Sequence, residues 1–167
     1  SCAKNAYELS CKVSDAEKQK IQEDLIILAE PEPKHTTAPI ILSCHMLELL
    51  VPQKEHSVLV LTSDHIIKPV ENFVTDCEEA YKAAATDKFV CFAIPPTEAR
   101  TGYGYIKTGN SITPKTYKID TFKEKPDQKT ANEYFASGKY FWNSGMFGFT
   151  SQFLKSELKK CEPEVSQ

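Results

Sequence analysis

The stretch Ser57–Leu61 reads Ser-Val-Leu-Val-Leu, and this uninterrupted apolar run decides the predicted fold. Such a run is typical of a strand in a parallel sheet that is covered on both faces. Phe73, Cys77 and Tyr81 follow at helical spacing and predict an amphipathic helix over residues 71–85. Residues 89–94 form the next apolar run. The alternation of strands and helices predicts an α/β fold, a doubly wound and mostly parallel sheet with right-handed crossovers.

The segments outside this central unit complete a single predicted domain over residues 1–167. Upstream, the pattern predicts a helix that opens with a capping box at Ser14–Glu17, a buried strand at Leu25–Leu28 and a helix from Thr37 to Leu50. Downstream, it predicts antiparallel strands over residues 103–107 and 117–123, a helix over 128–137, a strand over 146–149 and a helix over 152–160. The sheet is therefore expected to be mixed in its C-terminal part.

Composition excludes several classes of protein. A net charge of -3 argues against general nucleic-acid binding, which favours a basic face. No apolar run approaches the roughly 20 residues of a membrane span, and the first residues have no signal-peptide pattern. None of the six cysteines forms a Cys-x-x-Cys pair, so a zinc site is not expected. We therefore expect a cytoplasmic protein with neither nucleic acid nor membrane as partner.

Asp64 directly follows the apolar strand at Ser57–Leu61. In open α/β sheets, ligands bind beyond the carboxyl ends of the strands. A carboxylate there can hold Mg²⁺, which prefers hard oxygen ligands and shares its shell with phosphates and water. The alternative is that Asp64 only accepts backbone hydrogen bonds in a turn; position alone does not decide between the two.

Three further places carry polar or glycine signals. Gly102 and Gly104 let the backbone approach a ligand, although a plain hairpin entry would use them too. Glu124 and Lys125 would leave opposite faces of a strand unless Pro126 ends it and turns them. With that turn, Glu124 could accept sugar hydroxyls while Lys125 binds phosphate; the alternative is a solvated edge. Asn143 could bind sugar hydroxyls or only bond its own backbone in a turn.

Four motifs occur in a fixed order along the chain. They are Val60-Leu61-Thr62-Ser63-Asp64-His65, Pro96-Thr97 followed by Thr101-Gly102-Tyr103-Gly104-Tyr105-Ile106, Phe122-Lys123-Glu124-Lys125-Pro126-Asp127, and Trp142-Asn143-Ser144-Gly145-Met146-Phe147. Together they strongly resemble the mannose-1-phosphate guanylyltransferases (GDP-mannose pyrophosphorylases), especially the bacterial type. The likeness runs in register from about residue 25 onward.

The resemblance implies a Rossmann-like nucleotide-diphospho-sugar transferase fold, and formation of GDP-mannose and pyrophosphate from GTP and mannose 1-phosphate. It implies Mg²⁺ as cofactor, with Asp64 as its ligand and a catalytic residue. Lys125, the second catalytic residue, would hold the sugar phosphate. The implied substrate-binding residues are Thr101, Gly102, Gly104, Glu124 and Asn143. A phosphate oxygen of the sugar phosphate would attack the α-phosphorus of GTP in line, without a covalent protein intermediate.

The chain also departs from the family pattern. The family's glycine-rich phosphate loop is missing, because no glycine precedes Gly102, and a second metal-binding aspartate of the family would lie beyond Gln167. We therefore expect a partial nucleotidyltransferase domain, incomplete at both ends and inactive alone, from a full-length parent for which a homo-oligomer is one option. Two alternatives stay open: a pyrophosphorylase for another hexose 1-phosphate or nucleotide, and a non-catalytic regulatory or scaffolding homologue.

Overall fold

The computed structural model describes residues 25–29, 36–52 and 55–162. They belong to two compact units, Ser1–Lys54 with Thr62–Ile66, and Glu55–Leu61 with Ile67–Gln167. In the first unit, helix α1 spans Thr37–Leu50, as predicted. Residues 25–29 have neither helix nor strand, so the predicted strand at Leu25–Leu28 is wrong. An apolar run by itself carries no information on whether a neighbouring strand is there to pair with it.

The second unit holds the remaining elements. In chain order they are β1 (Ser57–Val60), α2 (Val70–Ala84), β2 (Val90–Ile94), β3 (Tyr105–Ser111), β4 (Tyr117–Lys123), α3 (Gln128–Ser137), β5 (Tyr140–Thr150) and α4 (Ser151–Cys161). The predicted strand over 117–123 and helix over 128–137 are confirmed to the residue, and the other predicted elements of this unit overlap the observed ones. The predicted helix with a capping box at Ser14–Glu17 lies outside the described residues, and the single domain over residues 1–167 stays a prediction.

Strand β5 is the centre of the sheet, and each pairing in the described part of the chain is antiparallel. Phe147 pairs with Val60 of β1 and with Cys91 of β2, so these two strands lie on opposite sides of β5. Near its other end, β5 pairs with β3, and β3 pairs with β4.

The prediction of a Rossmann-like, mostly parallel sheet is therefore wrong: the fold is α/β with an antiparallel sheet. The physical reason lies in the position of β5. Strands β1 and β2 are each antiparallel to β5 and so run in the same direction, as expected for a strand–helix–strand unit. However, β5 lies between β1 and β2. It therefore takes the place of the direct parallel pairing of β1 with β2 that the sequence pattern suggested.

The core of this unit is built on β5. Phe149 and Met146 are buried, with 1% and 5% of their surfaces exposed. The ring of Phe89 stacks on Phe149 at a centroid distance of 5.5 Å. Gly148 brings helix α2 close, because a Cβ built on it would lie 3.5 Å from the Cβ of Ala80. These contacts fix β5 against both a helix and its neighbouring strands.

Two further features concern the cysteines and the helices of the described residues. The four cysteines in the described ranges, Cys44, Cys77, Cys91 and Cys161, are free thiols. Burial raises the pKa of Cys91 to about 11, as expected for a cysteine used as a small apolar residue. Within residues 25–29, 36–52 and 55–162, no helix combines the length and apolar character needed to cross a membrane.

Candidate functional site

Three of the predicted site residues lie in one row across three adjacent strands. Tyr105 of β3 pairs with Lys123 of β4 and with Trp142 of β5. One residue further along this antiparallel register, Gly104 stands between Glu124 and Asn143. The N–H of Asn143 donates to the carbonyl of Gly104 at 2.8 Å, which confirms the register. Residues that are twenty and forty positions apart in sequence thus meet at one edge of the β3–β4 hairpin.

Gly104 makes room for the carboxylate of Glu124. A Cβ built on Gly104 would lie 2.7 Å from Glu124 Oε2 and 3.0 Å from the ring of Phe122. Both distances are shorter than ordinary van der Waals contacts, so only glycine fits here without displacing the carboxylate. Gly104 is itself buried, whereas Glu124 is exposed. The row therefore presents the Glu124 carboxylate to solvent, and this carboxylate and the Phe122 ring cover the Gly104 backbone.

Lys125 stands in a strained backbone conformation next to this carboxylate. Strand β4 ends at Lys123, and Lys125 has a φ of 42°, in the left-handed region that L-residues avoid. Of the two alternatives left open by the sequence, the structure has the one in which the strand ends before Pro126 and the chain bends at Glu124 and Lys125. The Nζ of Lys125 lies 3.7 Å from Glu124 Oε1, in a pair that is largely exposed and so only weakly held. Such strain is concentrated at functional sites in proteins.

Helix α3 fixes the far side of this turn. Pro126 is buried, and Asp127 caps the helix by accepting a hydrogen bond of 2.7 Å from the N–H of Thr130. This backbone hydrogen bond, the largest of several contributions, lowers the pKa of the Asp127 carboxyl. Lys125 is therefore held between the last residue of a paired strand and a capped helix, although its side chain stays exposed.

Asn143 lies within a β-bulge of β5, not in a turn. Gly145 has a φ of 73°, and the register of β2 against β5 shifts between Cys91 and Ala93. Asn143 Oδ1 accepts a hydrogen bond from the N–H of Gly145 at 3.3 Å. Ser144 Oγ donates to the carbonyl of Phe92 at 2.7 Å and so ties the bulge to β2. Bulges commonly redirect side chains next to active sites, and here the bulge holds the amide of Asn143 in the row.

Thr101 and Gly102 lie on the exposed connection that leads into Gly104. No heavy atom lies within 4 Å of a Cβ built on Gly102, so this backbone is open to a ligand. The connection is tied to the fold by Tyr105, whose buried hydroxyl bonds the backbone of Arg100. Tyr105 is not among the predicted site residues, although a tyrosine that becomes buried generally needs a hydrogen-bond partner for its hydroxyl.

Trp142 lies beside the row as well. Its ring meets the ring of Tyr103 edge-on at a centroid distance of 5.1 Å. Within the described residues, its buried Nε1 has no hydrogen-bond partner. Trp142 is half-buried, so it packs at this edge of the sheet and is not part of the buried core.

Asp64 belongs to the other compact unit. It is an exposed residue of a turn after β1. Among the residues that the structure describes, no group of three or more His, Cys, Asp or Glu residues could hold a metal ion. Asp64 thus offers Mg²⁺ one hard carboxylate, which suits a metal that takes most of its ligands from phosphates and water.

A large apolar cavity lies elsewhere in the second unit. It measures about 710 Å³ and is lined by residues of α2, β2 and the β3–β4 hairpin, including Ala80, Phe92 and Ile119. None of the predicted site residues lines it. We place the candidate site at the row because a carboxylate, an amide and a lysine belong to it or stand next to it in sequence, whereas the cavity wall is mainly hydrocarbon.

Known proteins match most of this chain. Residues 2–167 match the family described as nucleotidyl transferase. The mannose-1-phosphate guanylyltransferase RfbM of Salmonella typhimurium is 41% identical over 139 residues, which cover 83% of this chain and 29% of that protein. The xanthan biosynthesis protein XanB of Xanthomonas campestris is 40% identical over 140 residues, 84% of this chain and 29% of that protein. The chain spans less than a third of the length of these relatives.

Two crystal structures share the fold. One, described as mannose-1-phosphate geranyltransferase from Thermus thermophilus, aligns with a TM-score of 0.75 and 27% identity over 92% of this chain and 45% of that chain. The other, described as mannose-6-phosphate isomerase from Helicobacter pylori, aligns with a TM-score of 0.73 and 29% identity over 89% of this chain and 56% of that chain.

Proposed function

Because the chain belongs to the nucleotidyl transferase family, we propose that its row of Glu124, Gly104 and Asn143 binds mannose 1-phosphate for guanylyl transfer from GTP. The products are GDP-mannose and pyrophosphate. The names of the relatives, which are guanylyltransferases and polysaccharide biosynthesis proteins, support this assignment. A cytoplasmic location stays a prediction from the sequence.

One observation carries the proposal: the close contact between Gly104 and Glu124, with the amide of Asn143 in the same row. A carboxylate accepts hydrogen bonds only, and sugar hydroxyls donate them. The Asn143 amide adds donors on the other side of Gly104, and because Gly104 has no side chain, nothing projects from it between the two groups. Carboxylate and amide on the two sides of Gly104 thus offer an acceptor and donors to sugar hydroxyls.

Lys125 supplies the charge for the phosphate. Its exposed ammonium is held only weakly by Glu124, so it can turn toward a dianionic phosphate without losing a strong partner. In the proposed reaction, a phosphate oxygen of mannose 1-phosphate attacks the α-phosphorus of GTP, and pyrophosphate leaves. Since the nucleophile is already an anion, positioning and neutralisation of charge are what the protein residues contribute.

The proposal includes Mg²⁺, which would neutralise phosphate charge and take Asp64 as one of its ligands. The exposed carboxylate of Asp64 is a suitable donor, and the phosphates would provide the other oxygens. Asp64→Asn is expected to weaken Mg²⁺ binding measured by titration of the ion in the presence of GTP, while it leaves the affinity for mannose 1-phosphate without metal unchanged.

The site is tested by a matched pair of glycine substitutions in and next to one strand. Gly104→Ala drives a Cβ into the Glu124 carboxylate and should weaken mannose 1-phosphate binding by tenfold or more. Gly109→Ala, in β3 itself, meets only ordinary contacts of 3.5 Å and longer and should bind as the wild type does. Fluorescence of Trp142, the only tryptophan, provides the titration signal.

Selectivity is tested in the same titration. Mannose 1-phosphate should bind more tightly than glucose 1-phosphate, and GTP more tightly than ATP. Tighter binding of another pair would favour a pyrophosphorylase for that sugar or nucleotide. Wild-type binding to none of these ligands would contradict the proposed function.

A further inference from the structure

The hydroxyl of Tyr105 makes two hydrogen bonds to the backbone of one residue, five positions earlier in the chain. It donates to the carbonyl of Arg100 at 2.9 Å and accepts from the N–H of Arg100 at 2.9 Å. The Tyr105 side chain is completely buried, with 0% of its surface exposed, whereas residues 100–103 are exposed. A buried side chain therefore holds an exposed segment from inside the fold.

The held segment leads directly into the candidate site. Arg100 is fixed by Tyr105, and Gly104 is fixed by its hydrogen bond to Asn143 at 2.8 Å. Thr101 and Gly102 lie between these two points, on backbone that is open to solvent. We propose that Tyr105 is a positioning residue of the sugar-phosphate site, which holds Arg100–Gly104 in the conformation that receives the ligand. This inference rests on the proposed function.

The surroundings of Tyr105 make its hydroxyl separable from its ring. The ring packs against Tyr134 at a centroid distance of 5.5 Å, and Tyr134 stacks on Tyr140 at 3.8 Å. Phenylalanine at position 105 keeps these ring contacts and removes only the two hydrogen bonds to Arg100. Tyr105→Phe is therefore expected to fold as the wild type does and to release the segment locally.

The chain offers a specific probe of this release, because Arg100 is its only arginine. An arginine-specific protease can cut only at the bond between Arg100 and Thr101. Cleavage requires the segment to open, and the loss of a hydrogen-bond pair corresponds to roughly tenfold more opening. Tyr105→Phe should thus be cut at Arg100 about tenfold faster. A lysine-specific protease, which reports on opening elsewhere, should cut both proteins at the same rate.

A matched control removes a hydroxyl from the same aromatic cluster. The hydroxyl of Tyr134 interacts with Tyr140, not with Arg100. Tyr134→Phe should therefore show the wild-type rate of cleavage at Arg100 and the wild-type affinity for mannose 1-phosphate. Tyr105→Phe should bind mannose 1-phosphate threefold to tenfold more weakly, as judged by Trp142 fluorescence.

The outcomes separate this inference from the function on which it rests. Faster cleavage at Arg100 together with weaker binding, both confined to Tyr105→Phe, supports the positioning role. Cleavage at the wild-type rate, cleavage that rises equally for both proteases, or unchanged affinity would overturn it. If the wild-type protein itself fails to bind mannose 1-phosphate, the proposed function is overturned first, and the positioning role with it.

Discussion

At the scale of single residues, a substitution of Lys125 should affect stability and ligand affinity in different directions, because its backbone is left-handed. A lysine with a φ of 42° costs about 1–2 kcal/mol relative to an ordinary conformation. Lys125→Gly removes that strain but adds freedom to the unfolded chain, which offsets roughly 0.5–1 kcal/mol of the gain. The variant should therefore be as stable as the wild type or up to about 1.5 kcal/mol more stable. Its affinity for mannose 1-phosphate should fall about tenfold, because the charge for the phosphate is lost.

Asp87 provides the control for this prediction. It has a φ of 55° and lies in the turn after α2, away from the row in sequence and strand register. Asp87→Gly should change the midpoint of urea unfolding in the same direction as Lys125→Gly and leave ligand affinity unchanged. Equal loss of affinity in both variants would show that the effect of position 125 is a general one on the backbone.

At the scale of elements, the cap of α3 predicts how the turn responds to pH. Hydrogen bonding to the N–H of Thr130 lowers the pKa of Asp127 from its ordinary value of 3.8. A carboxyl whose pKa is lower in the folded state contributes stability above the unfolded value, and that stability is lost as the pH falls through the folded value. The melting temperature of the wild type should therefore decline below about pH 4. Asp127→Ala should melt lower at neutral pH and lose this part of the decline.

A second substitution at this cap isolates the charge. Asn is as good an N-cap as Asp, so Asp127→Asn should melt close to the wild type at neutral pH. It cannot titrate, so its melting temperature should fall less between pH 4 and pH 2 than that of the wild type. Parallel melting curves for all three proteins over this range would contradict the assigned role of Asp127.

The elements also show where sequence patterns stop being informative. The strand over 117–123 and the helix over 128–137 match the prediction to the residue, because what bounds them is local: Pro126 separates them, and Asp127 caps the helix through Thr130. Strand β5 was predicted only over 146–149, because Asn143-Ser144-Gly145 is typical of a turn. In the structure, Ser144 Oγ bonds Phe92 across the sheet, so the strand continues through a bulge. That partner is 52 residues away and leaves no local pattern.

At the scale of the whole molecule, strand direction is what the sequence could not supply. The apolar run of β1 was assigned to a doubly covered parallel sheet, whereas in the structure its residues are exposed or half-buried in an antiparallel one. The structure brings Gly104, Glu124 and Asn143 into one row, and their role as a binding site stays a prediction, because motif order suggested a shared site without specifying how the strands pair. The two hydrogen bonds between Tyr105 and Arg100 were not predicted, because the partners of a buried hydroxyl depend on the tertiary structure.

The central place of β5 makes one core residue decisive for the second compact unit. Phe149 is 1% exposed and stacks on Phe89, and β5 pairs with β1, β2 and β3. Phe149→Ala should cost about 3–5 kcal/mol, a large part of the roughly 5–15 kcal/mol that keeps a domain folded. Phe135→Ala, on helix α3 with 41% of its surface exposed, should cost less than about 1 kcal/mol. Both losses of stability can be measured by urea unfolding followed through the fluorescence of Trp142, a residue of β5 itself. Similar losses for the two variants would mean that the stability of this unit does not depend on the packing of β5.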